Sequence, residues 1–325
     1  LGRCSKFAVK STSLKIFNSI DDFTPGNGTV MTLGTFDGVH LGHRKIIERL
    51  LQSAHGGLET LILTFFPHPR MVLQDDNDIR LLNTIGEKCG LLAETTLDNL
   101  VIHPFDKNFS RLTAEAFVKD ILVGKFNIRK IIIGYDHRFG RNRTADINDL
   151  IQFGEAYGFE VEQISPIEID EIAISSTKIR NALLSGDIAL ANQYLGYEYF
   201  FSGTVVRGRQ LGRTIGYPTA NFHISETYKL IPAIGIYVVR SIVNGRMVYG
   251  MMSIGTNPTV GGTTQTIEVH YFDFQDDLYG ADITVSICCK IRDEAHFESL
   301  ELLRQKLDED REFSLRYIAS RSSGS

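Results

Sequence analysis

Two histidines three positions apart, His40 and His43, flank a glycine in Gly34-Thr35-Phe36-Asp37-Gly38-Val39-His40-Leu41-Gly42-His43. The segment follows an apolar run and opens an amphipathic one. It therefore sits where helix N-terminal N–H groups and the helix dipole favour a phosphate. Gly42 keeps bulk out of the gap between the imidazoles, and two such donors suit the charge that builds on a phosphoryl group in transfer. The residues alone also fit a glycine-rich turn with two surface histidines. A second cluster, Ser175-Ser176-Thr177 ahead of Arg180, read by itself is an N-capping run. A third runs from Gly203 to Asn221, where Gly208, Gly212 and Gly216 alternate with Arg207, Arg209 and Arg213. Its glycines let backbone approach phosphates closely, yet the chain holds no GxxxxGK[ST] loop. At its end Thr219 and Asn221 offer hard oxygens of the kind Mg²⁺ prefers. Glu268 lies on an alternating run, where it is either a solvated edge residue or a base for a hydroxyl.

The elements that must position these groups change character along the chain. Up to residue 185, apolar runs at Val30–Phe36, Leu58–Phe65, Asn99–His103, Arg129–Gly134 and Phe159–Ile164 read as strands. Between them Leu41–Ala54, Ile85–Thr96, Ala114–Leu122, Ile147–Tyr157 and Ser176–Leu184 read as helices. Near-continuous Val, Ile and Leu in strands separated by helices predict a parallel sheet covered on both faces, a doubly wound α/β domain with its ligand at the carboxyl ends of the strands. Beyond the short helix Ile188–Leu195 the pattern is strand upon strand: Phe200–Arg207, Ile234–Val243, Met247–Ile254, Thr266–Phe272 and Ile283–Ile291, with no helical run between them. Asn244-Gly245 marks a hairpin. This half predicts a small closed antiparallel barrel with one C-terminal helix, Ser299–Asp308. The domains are placed at 13–186 and 187–320.

Composition bounds the function. The 325 residues carry 34 Lys plus Arg against 39 Asp plus Glu, a net charge of −5, which argues against wholesale nucleic-acid binding. No apolar run approaches the ~20 residues of a membrane span. Lys6, Lys10 and Lys15 leave no apolar block for a secretory signal. Four cysteines, two of them adjacent (Cys288 and Cys289), make neither a disulfide framework nor a zinc site. A cytoplasmic, reduced chain that meets small molecules, with neither nucleic acid nor membrane as partner, is the expectation. Oligomeric state is not assigned.

His40-Leu41-Gly42-His43 resembles the HxGH signature of the nucleotidyltransferase superfamily, and Ile174–Arg180 resembles its ISSTxIR signature. Thr64-Phe65-Phe66-Pro67-His68-Pro69 and Gly134–Gly140 are similar to the TFxPHP and GxDFRFG segments of bacterial FAD synthetases, departing from them at His137 and at Ala145. Pro218-Thr219-Ala220-Asn221 resembles the PTAN motif of riboflavin kinases, and Gly250–Thr259 their GxxxIGxxPT segment. With at least five motifs in order, the chain resembles the bifunctional bacterial riboflavin kinase/FAD synthetase family.

That resemblance implies two reactions. The C-terminal domain would pass the γ-phosphoryl of ATP to riboflavin, giving FMN. The N-terminal domain would join FMN to the adenylyl group of a second ATP, giving FAD and pyrophosphate. It implies an ATP site at Gly34, Phe36, Asp37, His40, Gly42, His43, Ser176, Thr177 and Arg180, and a flavin site at Phe65, His68, Asp136, Arg138 and Asn142. In the kinase it implies phosphate contacts from Gly203, Gly208, Gly212, Arg213, Gly216, Pro218, Thr219 and Asn221, with Mg²⁺ on Thr219 and Asn221. Glu268 would be the base, beside a flavin contact at Arg292. Two alternatives stay open at this point: a chain with one working activity, or a non-catalytic flavin-binding protein.

Overall fold

A computed structural model describes residues 13–73, 79–134, 138–165, 174–208, 211–259 and 262–322. The chain divides into two compact units, Leu1–Ile79 with Ile85–Ser175 and Arg80–Thr84 with Ser176–Ser325.

The first unit is a parallel sheet with helices. In chain order it holds β1 (Lys15–Phe17), β2 (Thr29–Leu33), α1 (Leu41–Ser53), β3 (Glu59–Phe65), α2 (Pro69–Leu73), α3 (Ile85–Ala93) and β4 (Asn99–His103). Then follow α4 (Ala114–Ala116), which widens into a π-helical stretch at Phe117–Val123, β5 (Ile128–Gly134), α5 (Ile147–Tyr157) and β6 (Glu160–Ile164). The strands lie in the order β1-β4-β3-β2-β5-β6, every pair parallel. All five residues of β2 are buried, as expected of a central strand covered on both faces. The chain winds outward from β2 through β3 to β4, then crosses to β5 and β6. The reversal point lies beside β2, and ligands of such sheets bind outside the carboxyl ends of the strands there. β1 is too short for a periodicity to register.

The second unit opens with α6 (Ser176–Ser185) and α7 (Ile188–Leu195). Both helices pack with the barrel. Ala233 N–H donates to Leu183 O at 3.0 Å, and Asn192 Nδ2 to Ile287 O at 3.0 Å. β7 (Phe200–Val206), α8 (Leu211–Thr214), β8 (Ala220–His223), β9 (Gly235–Val243), β10 (Arg246–Thr259), β11 (Gly262–Tyr271) and β12 (Asp282–Arg292) follow, then α9 (Leu300–Ser322). The six strands close as β10-β11-β8-β7-β12-β9, all pairs antiparallel. Asn244 and Gly245 turn the β9–β10 hairpin at φ +50° and +75°, as the Asn-Gly pair predicts. The expectation of no helix among the strands is corrected by α8, a single turn set in the glycine-rich loop.

Residues 80–84 join this unit from within the first half of the sequence. Leu81 N–H donates to Tyr228 O at 2.7 Å and its carbonyl accepts from Leu230 N–H at 2.8 Å. Lys229, buried, donates from Nζ to the carbonyls of Leu82 and Phe200, both at 2.7 Å, and lies over the Tyr199 ring.

The C-terminal helix runs on to Ser322 rather than stopping near Asp308. The acidic run Asp308-Glu309-Asp310 interrupts the apolar pattern, but Asp310 is 2% exposed and pairs with Arg292 of β12. The pairing is bidentate, Arg292 Nε to Oδ1 at 3.0 Å and Nη2 to Oδ2 at 2.8 Å. Breaking a buried pair from one side leaves an uncompensated charge. Asp310→Ala is therefore expected to cost the second unit about 3 kcal/mol, read as an earlier urea midpoint. An unchanged midpoint would show that the pair contributes nothing.

Candidate active sites

The chain leaves β2 into the Gly34–His43 loop at the reversal point of the sheet. Phe36, read from sequence as the end of a strand, lies outside it, with φ +47°. His40 caps α1: its backbone is extended and its Nδ1 accepts the His43 N–H at 3.4 Å. An accepting Nδ1 places the imidazole proton on Nε2. The rings of His40 and His43 stack with centroids 3.7 Å apart, and Phe36 lies 5.0 Å from His43. Gly42 is buried within the helix start. Burial first, then the neighbouring His40 and Lys88, push the His43 pKa well below 6.5. His43 is thus a neutral imidazole at pH 7, and its Nδ1 is buried without a hydrogen-bond partner among the described residues. Asp37 is buried. A neutral His43 ring stacked on His40 at a helix N-terminus can donate from a ring N–H to developing negative charge.

At the carboxyl ends of β3 and β4 the side chains are aromatic. Phe65 is half-buried, 5.6 Å from Phe105 and 5.4 Å from Phe109, and His103 lies 4.8 Å from Phe109. His68 has a local task, its Nδ1 accepting from Arg70 N–H at 3.2 Å at the start of α2. Arg138 and Asn142 are exposed, Asn142 in a left-handed turn at φ +56°. Asp136 and His137 lie outside the described residues. Ala145, where the resembling family has glycine, needs no positive φ and is buried in the core, paired with Phe139 through backbone bonds of 3.1 and 3.3 Å. The methyl group is accommodated there. Ser176, Thr177 and Arg180 start α6; Arg180 Nε donates to Arg80 O at 2.8 Å.

In the barrel, β8 is only four residues long, yet it sets the second site. Asn221 and Ser253 both pair with Glu268 across β8, β11 and β10, and directly paired residues of antiparallel strands share a face. Thr219 Oγ1 donates to Glu268 Oε2 at 2.8 Å. Pro218 O takes a hydrogen bond from His270 Nδ1 at 2.8 Å, and the Tyr217 hydroxyl donates to Asp308 of α9. Burial and that carboxylate push the Tyr217 phenol up to about 12. Tyr217, His270 and Asp308 escaped the sequence reading, because nothing in their spacing links a strand histidine to a turn 52 residues away.

The glycines divide by role. Gly203 lies inside β7, where a Cβ would press on the His223 carbonyl oxygen, and Gly216 turns the chain at φ +87°. A Cβ on Gly208 would occupy the space of the Asn221 carboxamide, and one on Gly212 would collide with the Tyr217 carbonyl oxygen. Arg213 is exposed on α8. Gly212→Ala must therefore move the Tyr217–Thr219 turn, and a displacement on the order of 1 Å costs up to ~10²-fold in rate. The expected result is a loss of activity of that order at the second site, measured as product per minute on the full chain. A wild-type rate would show that the turn tolerates the shift.

A cavity of about 480 Å³ adjoins this row, lined by Ile236, Ser253, Arg292, Phe297, Leu303 and Leu307 among others. Its size lies within the range of small-molecule sites. Arg292 is part of the wall, with its guanidinium engaged by Asp310 and by the Asp293 carbonyl at 2.9 Å. No cluster of three or more His, Cys, Asp or Glu that could hold a metal exists among the described residues. A hard cation would instead find neutral oxygens, from Thr219 and Asn221. Thr219 gives its hydroxyl proton to Glu268, which leaves the oxygen lone pairs for such a group.

Two family models match, FAD synthetase over residues 23–178 and riboflavin kinase over residues 195–318. A bifunctional riboflavin kinase/FMN adenylyltransferase of Escherichia coli (strain K12) is 37% identical over 91% of this chain and 96% of its own length. That of Listeria monocytogenes is 37% identical over 92% and 95%. Among solved structures, a Streptococcus pneumoniae chain described as a macrolide-efflux protein superposes with a TM-score of 0.85 at 31% identity, over 93% of this chain and 98% of that one. That description belongs to the relative. Among the described residues here, no helix is long and apolar enough to cross a membrane.

Proposed function

Because this chain belongs to the family of bifunctional riboflavin kinase/FMN adenylyltransferases, we propose a division of its two reactions between two sets of residues. The FAD synthetase domain is N-terminal and the riboflavin kinase domain C-terminal. The observation that carries the division is that the residues at the two proposed reacting centres fall in different compact units. His40 and His43 stack in the first, while Thr219, Asn221 and Glu268 meet in the second.

In adenylyl transfer the FMN phosphate attacks the α-phosphorus of ATP and pyrophosphate leaves. His40 and His43 donate to the charge that spreads over the phosphate oxygens, at the N-terminus of α1 where backbone N–H groups add to it. Gly34, Phe36, Asp37 and Gly42 shape that loop. Phe65, with Phe105 and Phe109, offers the flavin an aromatic surface, and His68, Arg138 and Asn142 complete its polar contacts. No enzyme side chain becomes covalently attached.

In phosphoryl transfer the riboflavin 5′-hydroxyl attacks the γ-phosphorus of ATP and ADP leaves. Glu268 takes the hydroxyl proton as the bond to phosphorus forms. The Thr219 hydroxyl hydrogen-bonds that carboxylate and orients it. The cavity beside Ser253 accommodates the flavin, with Arg292 as a wall tied to α9. Gly203, Gly208, Gly212, Arg213, Gly216 and Pro218 form the phosphate loop. Thr219 and Asn221 would hold Mg²⁺, which would supply neutralisation of phosphate charge.

One chromatogram tests the reading. Incubated with riboflavin, ATP and Mg²⁺, the protein is expected to yield FMN and then FAD, resolved by fluorescence. FMN alone would place the failure in the N-terminal unit. Riboflavin returned unchanged from folded protein would favour a non-catalytic flavin-binding role.

A further inference from the structure

The loop that presents the histidine pair is held in an unfavourable backbone. Phe36 and Val39, neither of them glycine, have φ of +47° and +36°, a region that β-branched side chains in particular resist. Such backbone persists only where its surroundings over-determine it. Here the surroundings converge on one atom. The Thr35 carbonyl oxygen accepts from Lys88 Nζ at 2.7 Å and from Thr64 Oγ1 at 3.2 Å. On either side, Gly34 N–H donates to Leu63 O at 3.1 Å and Val39 N–H to Phe36 O at 3.3 Å.

Lys88 is an unusual choice for that contact. It is 3% exposed on α3, sharing the buried side of the helix with Leu91 and Leu92. An ammonium there is costly unless an acceptor holds it. Burial lowers its pKa, while the buried Asp37, inside the same loop, favours its charged form. Methionine would fill the same space without any such cost. A side chain that merely packs α3 needs no charge.

We propose that Lys88 is a positioning residue for adenylyl transfer: by gripping the Thr35 carbonyl it fixes the left-handed turn at Phe36, and through Phe36 the stack of His43 on His40. This rests on the reading of the Gly34–His43 loop as the adenylyl-transfer site. Lys88 acts on the loop and not on substrate, so it governs how often the pair is aligned rather than how tightly the flavin binds.

The test is Lys88→Met in the full chain, with FAD formation from FMN and ATP followed at steady state. Riboflavin kinase activity and the thermal transitions of the same sample report folding. The expected result is a kcat for FAD formation lower on the order of 10²-fold, with the KM for FMN within about threefold and the kinase rate unchanged. A folded variant whose kcat stays within about threefold of wild type overturns the proposal, as does a rise in KM for FMN at unchanged kcat. Should Lys88→Met fail to fold, Thr64→Val removes the other donor to the same carbonyl and leaves the ammonium in place. A several-fold fall in kcat then supports the proposal and an unchanged kcat overturns it. His43→Ala runs alongside. If it too leaves FAD formation intact, the assignment of the loop is what fails, and the role of Lys88 falls with it.

Discussion

His43→Ala is expected to slow FAD formation from FMN by about 10²–10³-fold while FMN formation from riboflavin continues at the wild-type rate. The magnitude is that of losing one preorganised donor to transition-state charge. His43 is suited to that loss being felt, since its ring is neutral, stacked on His40 with Phe36 beside it, and held at a helix start. None of its ring partners belongs to the barrel. His43→Gln separates two causes, because it restores a donor without the ring. Partial recovery would point to the hydrogen bond, and no recovery to the stack. Loss of both activities from a folded protein would refute the division between the units.

The reciprocal change is Glu268→Gln, expected to lower FMN formation by about 10²–10⁴-fold, with FAD formation from supplied FMN unchanged. Glutamine keeps an oxygen to accept the Thr219 hydroxyl, so the β8–β11 row stays in place and only the capacity to take a proton is removed. Glu268→Ala also leaves the Thr219 hydroxyl without that acceptor. If the carboxylate is the base, both variants are slow to a similar degree. If it serves only to orient Thr219, Glu268→Gln retains most of its rate and Glu268→Ala does not. Measuring both on riboflavin and on FMN, with the same preparations, separates these cases.

Much of this was legible in residue types and spacing. Strands of nearly unbroken Val, Ile and Leu alternating with amphipathic helices determined the parallel α/β unit, since only a sheet covered on both faces buries such runs. The change to strand upon strand and the Asn244-Gly245 turn determined an antiparallel partner unit. His40, His43, Thr219 and Asn221 stood out as candidates because their motifs are contiguous or nearly so, and Glu268 became one through the family resemblance. The sequence also held an unread signal. Lys88 occupies a position that helical periodicity assigns to the apolar face of α3, beside Leu91 and Leu92.

Only the tertiary structure decided the rest, and each case has the same cause: the partner is distant in sequence. Phe36 continues an apolar run, yet the Lys88 and Thr64 contacts to Thr35 accompany a left-handed turn there. Asp310 looks like the polar end of a helix, but Arg292 of β12 neutralises it and α9 runs on to Ser322. Residues 80–84 read as part of the first half, while hydrogen bonds to Tyr228, Lys229 and Leu230 give them to the second unit. Local propensity and periodicity report what a segment can do alone. A buried charge or a strained turn is stable only with a partner folded against it, and that partner's identity is a property of the fold.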